Sequence, residues 1–273
     1  MNDLTRWIAL DGAANVRDLG GLPTVDGGTT RFGRVLRSDN LQGLTDADVA
    51  LLVGELKLAD VVDLRTTTEV SLEGPGPLTR VPEVTVHHLT LFPEGGRNTD
   101  VEADTGVPGE RARVDGAKVL PWQGRREHDD AERRVLGFYH GYLRDRPDSV
   151  VAALRVLASG DGAAIVHCAA GKDRTGVVCA LALSVAGATR EAIVTDYAAT
   201  GDRLEGILAR LRESDTYRAD MDSRPAESHR PRPVFMENFL RVLDETYDGA
   251  LGWLDRHGWT AADTTALRAR LLD

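Results

Sequence analysis

Lysine is nearly absent from this chain of 273 residues. Only Lys57, Lys118 and Lys172 occur, so almost all of the 33 basic residues are arginine. The net charge of −10 excludes a nucleic-acid binder with a basic face. It leaves room for an anionic substrate, because a pocket can be positive inside an acidic protein. Cysteine is scarce too. Cys168 and Cys179 are the whole complement, which excludes a disulfide framework. No apolar run reaches the ~20 residues of a membrane span, and none forms the core of a signal peptide behind the polar opening Met1-Asn2-Asp3. The expected setting is the cytoplasm, with signal-less export left open. The seven histidines show no metal-ligand spacing, and His87 and His88 fall on opposite faces of one strand. No metal or other cofactor is expected.

What the chain does have is the run His167-Cys168-Ala169-Ala170-Gly171-Lys172-Asp173-Arg174-Thr175-Gly176. Ala163 to Val166 leads in as a strand, and Val177 to Leu183 leads out as an apolar helix. A thiol thus stands where strand becomes loop, with an arginine six positions on at the helix start. A loop folded back before a helix turns successive N–H groups inward and binds anions, and the helix dipole adds to the effect. Arg174 can grip two oxygens of a tetrahedral oxyanion at once. The same field favours the thiolate of Cys168. Ala169, Ala170, Gly171, Lys172 and Asp173 would form the cradle, with Gly171 suited to positive φ. Thr175 is placed to hydrogen-bond the sulfur, and His167 to orient the loop. The bland alternative, a buried cysteine closing a core strand, leaves the other fixed positions unaccounted for. A nucleotide-binding P-loop fails because Val166 stands where its first glycine belongs and Asp173 where its hydroxyl belongs.

These ten residues resemble the signature of the protein-tyrosine phosphatase superfamily, in the form used by a bacterial branch similar to the mycobacterial type B enzymes. Asn15-Val16-Arg17-Asp18-Leu19-Gly20-Gly21, Arg37-Ser38-Asp39-Asn40-Leu41 and Val61-Val62-Asp63-Leu64-Arg65, followed by Glu69, extend the resemblance. It implies hydrolysis of phosphotyrosine in proteins, with dual specificity or phosphoinositide substrates as further options. Cys168 would be the nucleophile and Arg174 the phosphate clamp. A phosphate-binding pseudoenzyme is disfavoured by the retained Cys168 and Arg174.

Departure of an alkoxide or phenoxide needs a proton donor. Many members of the superfamily carry it in a Trp-Pro-Asp loop, which this chain lacks; Pro121-Trp122-Gln123 has no carboxylate. Two candidates remain, Asp173 and Asp63. The competing reading of Asp173 is a brace within the loop, and that of Asp63 an ion pair with Arg65 or Arg17. For Arg17 and Asp18, bracing the fold is the commoner use.

The remaining pattern alternates strands and helices. Strands are expected over 59–64, 84–91 and 163–167. Helices are expected over 46–56, 131–144, 149–158, 174–186, 189–199, 203–212, 234–247, 249–257 and 261–272. The expected fold is α/β, a mainly parallel central sheet flanked by helices, in one phosphatase domain spanning 1–273. Two stretches with little periodicity, 95–130 and 213–233, are read as inserts, the second as a candidate lid. Cys179, inside the apolar helix, is expected to be structural.

Overall fold

The computed structural model describes residues 6–93, 131–223 and 225–272. The first expected insert, 95–130, lies outside them. The sheet has five strands: β1 (Arg17–Asp18), β2 (Val35–Ser38), β3 (Leu58–Asp63), β4 (Thr85–His88) and β5 (Ala163–His167). Their spatial order is β1-β2-β5-β3-β4, with β1 antiparallel to β2 and every other pairing parallel. This is the expected α/β architecture. The strand that delivers Cys168 lies at the centre of the sheet.

Apart from the exposed edge strand β4, both faces of the sheet are buried, and side chains alternate between them as a strand requires. Val35, Val62, Ala164 and Val166 join the larger core. Leu36, Val61, Ala163 and Ile165 join a smaller core on the opposite face. The larger core is built on α3 (Ala131–Asp145), α4 (Pro147–Ala158), α5 (Asp173–Ala186), α6 (Arg190–Ala199), α9 (Pro233–Tyr247), α10 (Gly249–Asp255) and α11 (Ala261–Leu271). Helix α5 runs through its middle, buried on nearly every face, and stops where Gly187 adopts φ 84°. The smaller core is closed by α1 (Asp46–Ala50), which continues as a π-helical turn over Leu51–Glu55. Among the described residues no helix is long and apolar enough to cross a membrane.

Outside the expected inserts, two strands and one α-helix have no counterpart in the sequence expectations. β2 is hidden by Arg37, a charge in mid-strand that is fully buried. β1 is only two residues long. α2 (Thr67–Glu73) announces itself through a capping box between Thr66 and Glu69. The stretch 213–233 is also more ordered than its composition suggests. It contains α8 (Arg218–Asp222) and a 3-10 turn, Ala226–His229. Tyr217 and Met221, one helical turn apart, pack on Leu204, Ile207, Leu208 and Leu211, the apolar face of α7 (Leu204–Glu213) and its first turn.

A buried polar knot ties the N-terminal segment to α6. Asp196 is 1% exposed and faces three arginines. Arg17 Nε donates to it at 3.1 Å, Arg37 Nη1 at 2.6 Å, and Arg6 Nη2 also donates. Burial opposes the charge on Asp196, but the three guanidiniums outweigh it and hold the carboxyl far below its usual range. Burial and the adjacent Arg37 bring Arg17 down to about 10, still charged at neutral pH. Asp196→Asn leaves these arginines without their counter-ion. It is expected to lower the unfolding free energy by about 3–5 kcal/mol, read from urea denaturation at neutral pH. A loss inside the scatter of surface substitutions would show that the knot does not hold the fold.

Candidate active site

The motif loop leaves β5 at its C-terminal end, the edge of an open α/β sheet where ligands characteristically bind. Its carbonyls are all spoken for. The Cys168 oxygen lies 3.3 Å from His167 Nδ1, the Ala169 oxygen accepts from the Asn40 N–H at 2.9 Å, and the Ala170 and Gly171 oxygens accept from Asn15 Nδ2 at 3.1 and 3.2 Å. Arg37 Nη2 also donates to the Gly171 oxygen at 2.7 Å. In a planar trans peptide the next N–H points the opposite way. The N–H groups of Ala169, Ala170, Gly171 and Lys172 therefore turn away from these partners, the arrangement a backbone nest requires. Gly171 has φ 65°, and a Cβ there would sit 2.3 Å from the Ser38 oxygen. Only glycine fits.

Cys168 and Arg174 are brought together on the floor of a cavity of about 240 Å³. Its lining is mainly apolar and aromatic, with Phe92, Phe138, Tyr142 and Leu208 joined by Tyr217 and Met221 of the 213–233 segment, and with polar residues such as His229 and Arg232 among them. Cys168 is 2% exposed and Arg174 5%. Arg174 is held in a fork with Glu69, Nη1 to Oε2 at 2.6 Å and Nη2 to Oε1 at 2.9 Å. Burial works against the Glu69 charge, but Arg174 overcomes it and keeps the carboxyl below its ordinary value. The guanidinium also lies over the Phe92 ring, 5.6 Å from its centroid. The segment above the cavity touches this machinery twice. The Tyr217 hydroxyl donates to Glu69 Oε1 at 3.0 Å, and Lys172 Nζ donates to the His229 oxygen at 2.8 Å.

Residues 8–273 match the tyrosine phosphatase family. The chain belongs to that family. It is similar to the triple specificity protein phosphatase PtpB of Mycobacterium tuberculosis, 32% identical over 281 aligned residues that span 96% of this chain and 98% of the relative. It is also similar to a tyrosine-protein phosphatase of Nostoc commune, 30% identical over 86% of this chain and 73% of the relative. The chain is thus a protein-tyrosine phosphatase, a phosphoric monoester hydrolase.

The two acid candidates occupy different surroundings in this phosphatase. Asp173, the first residue of α5, borders the cavity with its side chain 35% exposed. Its Oδ1 accepts from the Tyr139 hydroxyl at 2.7 Å, and its Oδ2 lies 3.5 Å from Lys172 Nζ. Asp63 is 4% exposed and does not line the cavity. Both of its oxygens take hydrogen bonds from Arg65, including Nη2 to Oδ2 at 2.6 Å. Burial opposes its charge, yet His167 at 3.7 Å and the Arg65 fork outweigh it and hold the carboxyl far below its usual range. A carboxylate so held has no proton to give at neutral pH, and the geometry makes Asp63 a brace. The Thr175 hydroxyl is buried and has no hydrogen-bond partner among the described residues, so the expected contact to sulfur is not formed. Arg17 takes the bracing place, and so does Asp18, which accepts from the N–H groups of Gly20 and Gly33, both at 2.7 Å. Burial pushes the Cys179 thiol up to about 11, as suits a structural residue. The supports of Asn15, Arg37 and Asp196, and the Tyr139 contact, were not assigned from sequence. The first three join positions more than a hundred residues apart, and Tyr139 meets Asp173 from another helix 34 residues away, so no local spacing reveals them.

His167 carries a pH signature. Burial lowers the imidazole to about 4, more than Asp63 raises it. The unfolded chain takes up this proton near pH ~6.5, the folded chain only near 4. Between those values the unfolded state binds more protons, so stability falls as the pH falls, by up to about 1.4 kcal/mol per unit. His167→Gln is expected to flatten this slope in urea midpoints measured between pH 7 and pH 5. An unchanged slope would place its origin elsewhere.

Proposed function

We propose that residues 1–273 act as one phosphatase domain that hydrolyses phosphotyrosine in proteins through a phosphocysteine intermediate. The observation that carries this reading is the meeting of Cys168 and Arg174 on the floor of an aromatic-walled cavity, at the mouth of a loop whose carbonyls are all tied outward. The walls suit a phenyl ring, and the nest with Arg174 suits the dianion beyond it. Release of Arg174 from one limb of the Glu69 fork would accompany phosphate binding.

In the first step the Cys168 thiolate attacks phosphorus. The bond to the tyrosyl oxygen breaks, its electron pair goes to that oxygen, and Asp173 supplies the proton. In the second step water attacks the phosphocysteine and gives its proton to the Asp173 carboxylate. The S–P bond breaks, returning the pair to sulfur and freeing phosphate. The N–H groups of Ala169 to Lys172 and the Arg174 guanidinium hold the charge that builds on the equatorial oxygens.

A cationic Lys172 in the loop would suit the highly charged headgroup of an inositol lipid. Its ammonium is engaged by the His229 oxygen and stands 3.5 Å from Asp173, in a cavity with apolar walls. Phosphotyrosine is the better match. The name of the M. tuberculosis relative, triple specificity, makes phosphoserine and phosphothreonine peptides part of the test. A reducing compartment such as the cytoplasm keeps Cys168 competent.

The test is phosphate release from phosphotyrosine, phosphoserine and phosphothreonine peptides and from mono- and bis-phosphorylated inositol lipids. Phosphotyrosine is expected to be the best substrate, and Cys168→Ser to abolish turnover of all of them; residual turnover by Cys168→Ser would rule out the covalent route. Asp173→Asn is expected to slow phosphoserine peptides more than p-nitrophenyl phosphate, by about 100-fold or more on the former. Equal losses would remove Asp173 from the acid role.

A further inference from the structure

A tyrosine hydroxyl has one proton to give, and two contacts of Tyr139 compete for it. Its oxygen is 2.7 Å from Asp173 Oδ1 and 2.7 Å from the Tyr197 hydroxyl. An ionised carboxylate only accepts, so the Tyr139 proton goes to Asp173 and Tyr197 donates to Tyr139. The chain of donors therefore runs one way, from α6 through α3 to the first residue of α5. Tyr139 is 0% exposed and Tyr197 1%, which keeps solvent from taking over either bond. The Tyr139 ring is fixed by its packing, edge-on to Phe239 with centroids 5.9 Å apart and stacked on Tyr142 at 6.3 Å.

We propose that Tyr139 is the positioning residue for proton transfer at Asp173, assigning the transferable proton to Oδ2. The assignment rests on the reading of Asp173 as the acid. A proton on Oδ1 would point at Tyr139 and reverse the chain. Tyr139 would then donate to Tyr197, whose own proton would need a new acceptor. Among the described residues the Tyr197 hydroxyl has no hydrogen bond other than that to Tyr139. A reversed chain thus strands a buried donor, which is costly. With Tyr139 holding Oδ1, the proton rides on Oδ2, on the side that carries Lys172 and opposite the tyrosine pair. The carboxyl is also kept from rotating, so the oxygen that meets the leaving group is always the same one.

The experiment compares kcat/KM for two aryl phosphates of similar shape, phenyl phosphate with a poor leaving group and p-nitrophenyl phosphate with a good one. Tyr139→Phe keeps the ring and removes the donor. It is expected to lower kcat/KM about 10-fold on phenyl phosphate and less than about 2-fold on p-nitrophenyl phosphate, within the range that general acid catalysis contributes. In an Asp173→Asn background the same change is expected to cost nothing further. Tyr197→Phe, which removes only the outer donor, is expected to give a smaller loss with the same dependence on leaving group. It carries the test if Tyr139→Phe does not fold. Equal losses on the two esters, or losses that add to those of Asp173→Asn, would overturn the positioning role while leaving the acid in place. If Asp173→Asn itself shows no dependence on leaving group, the acid reading and this assignment fall together.

Discussion

The phosphate loop keeps its shape because its carbonyl groups are tied down from outside. Asn15 takes two of them and Arg37 reinforces one, and both depend in turn on the charge of Asp196. Arg37 is bonded to Asp196 directly, while Asn15 is linked to it through Arg17. An anion nest made of backbone N–H groups has no rigidity of its own, since nothing inside the loop bonds those groups to each other. The knot of Asp196 with Arg6, Arg17 and Arg37 supplies that rigidity from below. It also leaves an excess of positive charge under the loop, on the side from which an anion and a thiolate are both favoured.

Above the loop the supports have a different character. Arg174, Glu69 and Tyr217 form one chain of hydrogen bonds, and Lys172 reaches the backbone at His229. Tyr217 and His229 belong to the segment that closes the cavity, whereas Glu69 and the phosphate loop belong to the sheet framework. The lower network is buried and paired through several charges. The upper one is a small number of bonds that link two parts of the chain across the cavity.

Much of the site was legible because its chemistry is written in one contiguous run. Cys168, Gly171 and Arg174 take their places from the strand-loop-helix pattern alone, and the apolar helix behind them is unmistakable at Val177 to Leu183. The limits are equally physical. Arg37 reads as a break in an apolar strand because sequence cannot show that Asp196, far along the chain, will neutralise it. Asp63 and Asp173 look alike on paper; only their neighbours, an Arg65 fork for one and a tyrosine hydroxyl for the other, separate them. The 213–233 stretch looked irregular because its order comes from two side chains, Tyr217 and Met221, that fill a surface offered by α7. Pairings at long range decide these cases, apart from the local Asp63–Arg65 fork, whose partners stand two residues apart.

The burial of Cys168 bears on how such a molecule responds to reagents in solution. A cysteine with 2% of its surface accessible, lining a cavity, is reached by an alkylating agent through that cavity. When access equilibrates faster than reaction, the labelling rate is the intrinsic rate multiplied by the accessible fraction. The thiol then reports on access through the cavity that Tyr217 and Met221 help to line. Its slowness toward a small electrophile would measure enclosure and say little about how strong a nucleophile the sulfur is.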